Sequence, residues 1–510
     1  MVAAGMRLAH WARVQPEVLA VHSIWGDRTF QQLNANSNRL ARALRARGLH
    51  AGDGVAIVCG NRPEFAEVVH ACLRAGLRYT PVNWHLTPDE VAYIVGDCQA
   101  KAVFGDARFA DLMTKAATLS PNARVRLAIG GEISGFESYD QAIAEEDAQD
   151  LEDPKDGFRM LYTSGTTGRP KGVVRPVNYS TGLSGLTSAP GYGPGKGQLH
   201  LCTGPMHHGG PLVYSMEVPI SQGVGTVLMD RWDAAEALRL IEKHRITHTH
   251  MVPTMFHRLL RLPEDVRRSA DVSSMQYIAH GAAPCTVGTK KGMLDWFGPI
   301  LWEYYAATEG GGASVGPEQW LEKPGTVGKP ITEDHVQVLD DDGRPCGPNQ
   351  PGTIYLKVLA NSDFEYFNDP AKTAAAHRGP YFTVGDVGYL DEAGFLFLTD
   401  RSADLIIRGG VNIYPAEVEA VLLHHRSVRD VAVIGVPSSE WGEEVMAIVE
   451  HVDDEPPAEL ERELNELCRE RLARFKCPQS IEIVNALPRS DNGKLYKRRL
   501  RERYRGEVDA

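Results

Sequence analysis

Between Thr29 and Asn83 the apolar positions recur first with the spacing of a helix and then as a short unbroken run. Leu33, Leu40 and Leu44 fall on one helical face, Gly48 stands where that helix would end, and VAIVCG (55–60) reads as a buried strand. A second amphipathic helix carrying Phe65, Val68, Val69, Cys72 and Leu73 follows, then Gly76 and the strand-like YTPVN (79–83). Such repeated β-α-β units predict a parallel sheet covered on both faces. The alternation returns in GTVLM (225–229), AAEALRLIEKH (234–244) and HTHMVPT (248–254).

From about Gly325 to Thr399 the pattern changes to short β-rich pieces separated by turns, among them HVQVLDDDGRP (335–345), GTIYLKV (352–358) and GFLFLTD (394–400). That predicts a small antiparallel or barrel-like subdomain. A fresh pattern begins after DRSADLI (400–406): a helix in PAEVEAVLLHH, strands in DVAVIGVP and VMAIVEHV, and a charged helix from Leu460 to Leu472. The expected fold class is therefore α/β. Residues 1–400 form a large N-terminal domain of parallel-sheet subdomains plus a β-barrel-like piece, and residues 401–510 form a small α+β C-terminal domain. The acidic run EEDAQDLEDPKDG, Glu145 to Gly157, reads as a solvated connector.

Composition narrows the class. A chain of 510 residues with 43% hydrophobic and 24% charged positions is an ordinary globular protein too long for a single core. Its net charge of -12 disfavours nucleic acid and anionic lipid as bulk electrostatic partners. Arg7, His10 and Arg13 interrupt any signal-like apolar stretch near the N-terminus. No apolar run approaches the roughly 18 residues of a membrane span. Eight scattered cysteines without a C-x-x-C pair fit reduced thiols and a cytoplasmic setting.

The candidate chemistry centres on YTSGTTGRPKG, Tyr162 to Gly172, which follows the strand-like FRMLY (158–162). Its glycines are costly to order in a helix or strand, and its hydroxyls compete for backbone hydrogen bonds, so the stretch reads as a loop hanging from a strand end. Such a loop can turn several N–H groups toward one point. Hydroxyls add donors and Lys171 adds a point charge, which together suit polyphosphate. Pro170 stands where the P-loop NTPase pattern needs its second glycine, and Gly172 follows the lysine, so that class is excluded.

The whole string closely resembles the signature loop of the adenylate-forming superfamily, which includes acyl-CoA synthetases, firefly-type luciferases and nonribosomal adenylation domains. Further blocks repeat the resemblance in order: YYAATEG (304–310), YFTVGDVG (381–388), DRSADLIIRGGVNIYPAEVE (400–419) and LPRSDNGKLYKRRL (487–500). The resemblance implies that Thr163, Ser164, Gly165, Thr166, Thr167, Gly168 and Lys171 hold the phosphates of ATP, with Thr308 near the α-phosphate and Glu309 on Mg2+. It places Tyr305 near adenine, Gly281, Ala282, Ala283 and Pro284 between adenine and the acyl pocket, and Asp386 and Arg401 on ribose or phosphate. His208 becomes a gate or wall of the acyl pocket, with Ala306, Gly310 and Gly311 beside it. Gly409 and Gly410 would form a pantetheine channel, and Lys494 would bridge the reacting carboxylate and the α-phosphate. Plainer readings stand beside these: a loop acid for Glu309, a packed core tyrosine for Tyr305, an ion pair for Asp386 with Arg401, a buried or capping histidine for His208.

The implied activity is an ATP-dependent acid–thiol ligation in two steps, with the C-terminal domain mobile about the DRSADL junction. Two positions depart from the family pattern. Ala403 replaces the usual Asp or Lys at the pivot, and Ala306 replaces a glycine beside the acyl pocket. The absence of a condensation or carrier module favours CoA as the thiol. The glycine run after Glu309, with no obvious partner for a polar substrate end, favours a fatty or bulky hydrophobic acid. A stand-alone enzyme loading a carrier thiol and a luciferase-like oxygenase are the alternatives, and a homodimer stays open.

Overall fold

The computed structural model of the chain describes residues 5–163, 170–175, 192–193, 197–282, 285, 287–340, 342–359, 362–401, 406–413, 415–451, 459–488 and 497–505. An eight-stranded sheet runs in the order Glu365–Tyr366, Lys171–Val174, Phe158–Thr163, Arg78–Pro81, Gly54–Val58, Ala100–Asp106, Val125–Ile129, Glu137–Ser138. From Phe158–Thr163 onward its neighbours are parallel; the first two strands are antiparallel additions. A nine-stranded sheet runs Lys329–Pro330, Gly311–Val315, Leu301–Ala306, Tyr277–His280, His248–Met251, Leu199–Cys202, Gly225–Leu228, Leu19–His22, Arg28–Thr29, parallel except at its two ends.

The helices Phe30–Ala46 and Pro63–Ala75 lie between these sheets, in one apolar cluster that includes Val55, Ile57 and Phe104 from the first sheet and Val21, Cys202 and Leu228 from the second. Thr29 opens the first helix by accepting from Gln32 N in a capping box, and Gly48 follows its end at φ +84°. The second helix was expected to be amphipathic; every one of its residues is buried, because a sheet covers it on either side. Its charged residues are bonded to partners inside the protein, with Arg74 Nη2 left over. Glu67 accepts from Arg28 Nε at 2.7 Å and from the Tyr139 hydroxyl at 2.5 Å, and Arg74 donates to Asn34 Oδ1 at 2.9 Å.

The acidic connector is not simply solvated. Asp150 accepts from Asn34 Nδ2 at 2.8 Å and from Arg13 at 2.9 Å, and Arg42 donates to the carbonyls of Asp147 and Gln149, so the run is strapped along the first helix. The barrel-like expectation also needs correction. The third sheet has six antiparallel strands, and its outermost members, His377–Arg378 and Leu396–Arg401, do not pair with each other among the described residues. It has no need to close, since its apolar side chains Val336, Ile354, Leu356 and Phe382 pack against Tyr305, Ala313 and Tyr366 of the other sheets.

The C-terminal domain is α+β as expected. The long hairpin Val428–Ser438 with Gly442–His451 is joined by three further strands, and the helices Pro415–Leu422 and Leu460–Arg471 bury Val418, Leu422, Leu460 and Leu464 on it. Among the described residues no helix is long and apolar enough to cross a membrane. All eight cysteines are free thiols.

Candidate active site

Thr163 ends one strand, Lys171 begins its antiparallel neighbour, and the two residues are paired across the ladder. The signature loop is therefore carried by a hairpin and not by the strand-to-helix turn of a P-loop. Ser164, Gly165, Thr166, Thr167 and Gly168 lie outside the described residues, as do Ala283, Pro284, Ala403 and Lys494; of Arg401 only the backbone is described.

Lys171 projects its ammonium 4.7 Å from the ring centroid of Tyr366, and the hydroxyl of that same tyrosine donates to Glu309 Oε1 at 2.8 Å. Glu309 and Thr308 sit at the tip of the hairpin between Leu301–Ala306 and Gly311–Val315, tightened by reciprocal backbone bonds between Ala307 and Gly310. Glu309 is buried, so it is not the exposed loop acid of the plainer reading. Burial pushes its carboxyl up, opposed by Tyr366 and Lys171, while burial and then Lys372 push the Lys171 ammonium down. A buried carboxyl and a half-buried ammonium, each short of counter-charge, suit a ligand that brings both signs. A polyphosphate with its divalent cation is such a ligand. Among the described residues no three His, Cys, Asp or Glu side chains gather to hold a metal, so Glu309 fits magnesium only as one carboxylate beside phosphate and water.

Asp386 is buried and accepts from the Tyr305 hydroxyl at 2.6 Å, and it lies directly across the ladder from Arg401. Tyr305 is 6% exposed, packed in the core of the third sheet with Val173 and Ala313. The glycines after Glu309 are partly explained by this packing. A Cβ on Gly310 would stand 2.6 Å from Phe382 Cζ and one on Gly312 2.5 Å from Tyr305 Cδ1, so aromatic rings occupy the room that the glycine run was expected to leave for substrate. A Cβ on Gly311 would meet nothing within 4 Å.

Of the acyl-side candidates, Gly281 abuts Tyr304. A Cβ on Gly281 would come within 2.6 Å of its carbonyl oxygen and 2.7 Å of its ring, and Ala282 holds a left-handed φ of +66°. Tyr304 OH and His250 Nε2 are 2.8 Å apart, Tyr214 stacks on His250 at 5.4 Å, and a Cβ on Gly210 would touch the same imidazole at 2.8 Å. Burial pulls His250 down to about 4, so its imidazole is neutral. His208 is likewise pulled to about 4, by burial and then His85. It lies 4.5 Å from His207, whose two ring nitrogens are buried without a partner and whose ring meets Trp84 edge-on. Ala306 ends the strand that carries Tyr304.

Gly409 and Gly410 form the two-residue turn between Ile406–Arg408 and Val411–Ile413, at φ +59° and +81°, the conformation such tight hairpins require. A Cβ on Gly410 would lie 3.6 Å from Val252 of the large domain. Beside it Trp441 is flanked by the guanidinium groups of Arg258 at 4.3 Å and Arg408 at 5.1 Å. Tyr366, His250, Tyr214 and Trp441 had no signal in the sequence; each reaches the site through pairing or packing with a distant segment.

The AMP-binding enzyme family profile matches residues 8–359, and the AMP-binding enzyme C-terminal domain matches residues 417–494. A 2-succinylbenzoate–CoA ligase from Bacillus pumilus is 33% identical, over 97% of each chain. A long-chain-fatty-acid–CoA ligase from Mycobacterium tuberculosis is also 33% identical, over 94% of each. Among solved structures, a double mutant of o-succinylbenzoate CoA synthetase from Bacillus subtilis bound with its product analogue OSB-NCoA superposes with a TM-score of 0.83, at 29% identity over 98% of each chain. The same synthetase in complex with the acyl-adenylate OSB-AMP, 30% identical over 97% of each chain, gives 0.66, and its complex with ATP and magnesium ion gives 0.67. The chain belongs to the AMP-binding enzyme family and carries that family's C-terminal domain.

Proposed function

We propose that the chain is an ATP-dependent carboxylate–CoA ligase that makes an acyl-adenylate and then an acyl-CoA thioester. The observation that carries this reading is the Lys171–Tyr366–Glu309 array, a half-buried cation and a buried anion held by one tyrosine beside the hairpin that bears the signature loop. Two relatives named as CoA ligases, each 33% identical over nearly the whole chain, support CoA over a carrier thiol.

A carboxylate and a triphosphate repel each other, so the first step needs positioning and charge neutralisation. Lys171 would neutralise phosphate oxygens, and Glu309 would hold magnesium, which supplies further neutralisation. Asp386 and Arg401, paired across one ladder, would take the ribose and an adjoining phosphate. The substrate carboxylate attacks the α-phosphorus, the bond to the β-phosphate oxygen breaks, and pyrophosphate leaves. The CoA thiol then attacks the carbonyl of the mixed anhydride, loses its proton, and AMP leaves. Lys494 is proposed to serve only the first step, and the domain that carries it to swing about the 401–405 junction between steps.

The acid is proposed to be bulky and at least partly aromatic. Tyr304, His250 and Tyr214 make a stacked wall with a hydrogen-bonding edge, a surface suited to a flat ring more than to a long alkyl chain. Free thiols throughout support a reducing compartment such as the cytoplasm. ATP–pyrophosphate exchange over a panel of alkyl and aryl acids, followed by CoA addition, tests the reading. Exchange that requires acid but not CoA, with aryl acids ahead, supports it; exchange absent with every acid refutes it.

A further inference from the structure

The C-terminal domain enters the large domain through residues 473–477. Ala473 is 3% exposed, and together with Phe475 it belongs to the apolar cluster on the outer face of the eight-stranded sheet, which includes Val91 and Ile94 of helix Pro88–Asp97. Next in the chain comes Lys476, itself only 4% exposed. Its ammonium donates to Glu417 Oε1 of its own domain at 2.7 Å and to Glu90 Oε1 of the large domain at 2.6 Å. Glu90 is held from behind: its Oε2 accepts from Thr87 N at 2.8 Å and from Thr87 Oγ1 at 3.0 Å, in the capping box of helix Pro88–Asp97.

A lysine buried this deeply is tolerable only while its partners are present. Separating the domains leaves Lys476 with Glu417 and returns Glu90 to its cap, so the bridge exists in the docked orientation alone. That orientation also sets Gly410, in the glycine turn expected to line the pantetheine channel, against Val252. The fuller superposition on the relative's product-analogue complex, 0.83 against 0.66 for its adenylate complex, agrees with an arrangement suited to thiol transfer.

We propose that Lys476, bridging Glu417 to Glu90, is a positioning residue that latches the C-terminal domain in the thiol-transfer orientation and must let go for adenylate formation. The proposal rests on the two-step reading given under Proposed function. It assigns a cost to each step. A stronger latch favours thioester formation and hinders adenylation; a weaker one does the reverse.

Glu90→Gln is the decisive variant, because glutamine keeps the capping box, as Gln32 does with Thr29, while removing the charge that Lys476 needs. Docking is read without any substrate by a disulfide between Val252→Cys and Gly410→Cys, whose Cβ atoms would be 3.6 Å apart only when docked. In that background Glu90→Gln and Lys476→Met are expected to slow disulfide formation about ten-fold, and Lys476→Arg to recover part of the rate. In the otherwise native chain, Glu90→Gln is expected to lower thioester formation from preformed acyl-adenylate by a similar factor while ATP–pyrophosphate exchange holds or rises. Unchanged trapping in Glu90→Gln overturns the latch. So does an equal loss of both half-reactions, which would mean a structural role. If no acid supports exchange, the ligase reading falls, and the trapping comparison still decides the latch.

Discussion

The hydroxyl of Tyr366 donates to Glu309 at 2.8 Å across two different sheets, joining the edge strand Glu365–Tyr366 to the hairpin tip that follows Leu301–Ala306. This bond opposes the upward push of burial on the Glu309 carboxyl. Tyr366→Phe removes the donor and keeps the ring beneath Lys171. The Glu309 carboxyl then rises further, so a step that needs it ionised fails at a higher pH than before. The acid limb of the pH–rate profile is expected to move upward, with a loss of about 1–2 kcal/mol in stability from the unmade bond. An unmoved acid limb would separate Glu309 from the rate.

Ala282 adopts φ +66° immediately after Gly281, a conformation that costs a residue with a Cβ about 1 kcal/mol or more. Ala282→Gly is expected to raise stability by roughly that amount, read by thermal melting. Gly281→Ala is expected to do harm, since its Cβ would press on the ring and carbonyl of Tyr304. Its signature would be a raised KM for the acid with the KM for ATP little changed.

Beneath the same segment Lys290 is fully buried, with its ammonium 2.7 Å from Glu303 Oε2 and under the ring of Trp320. Burial pushes Lys290 down and Glu303 up, each opposed by the other. Lys290→Met alone strands a buried carboxylate and is expected to cost about 3–5 kcal/mol by denaturant unfolding. Lys290→Met with Glu303→Leu is expected to recover most of it. A double variant as weak as the single one would show that shape, not charge, governs this position.

The interdomain bridge has a pH sign. The charged groups that face Glu417 are Lys476 and Glu90; Cys477, next in the chain, is pushed up by burial with Arg469, Arg474 and Arg408 acting against it. Burial pushes the Glu417 carboxyl up to about 7, with the Glu90 side chain adding to the rise and Lys476 opposing it. An undocked Glu417 loses Glu90 and returns toward the ordinary carboxylate range. The docked state therefore holds the extra proton from about that range up to pH 7, and docking weakens as pH rises through about 7. Glu417→Gln is expected to flatten this dependence in the disulfide-trapping assay. Persistence of the same slope in the variant would assign it to another group.

Much of the candidate site could be proposed from the sequence because its residues sit in contiguous blocks. Lys171, Thr308, Glu309 and Asp386 each lie in a short string whose order the family resemblance reads directly. Tyr366 was not legible, since its role depends on antiparallel pairing with Lys171–Val174, and one short strand carries no register. The bridge from Lys476 to Glu90 spans 386 positions and joins two domains, beyond any periodicity. Helix Pro63–Ala75 looked amphipathic because Glu64, Glu67 and Arg74 are polar; only the second sheet reveals that they are buried and paired. The third sheet looked barrel-like because its strands are short and close together, whereas Tyr305 and Tyr366 of other sheets cover its apolar face.

In the proposed reaction a carboxylic acid is activated on ATP before any thiol takes part. Labelled pyrophosphate incorporation into ATP, measured with acid present and CoA withheld, tests it most directly. Incorporation is expected to require the acid, to fall at least ten-fold in Glu309→Gln, and to be followed by AMP and thioester when CoA is added. Exchange that requires CoA, or ADP and phosphate as the products, would contradict it.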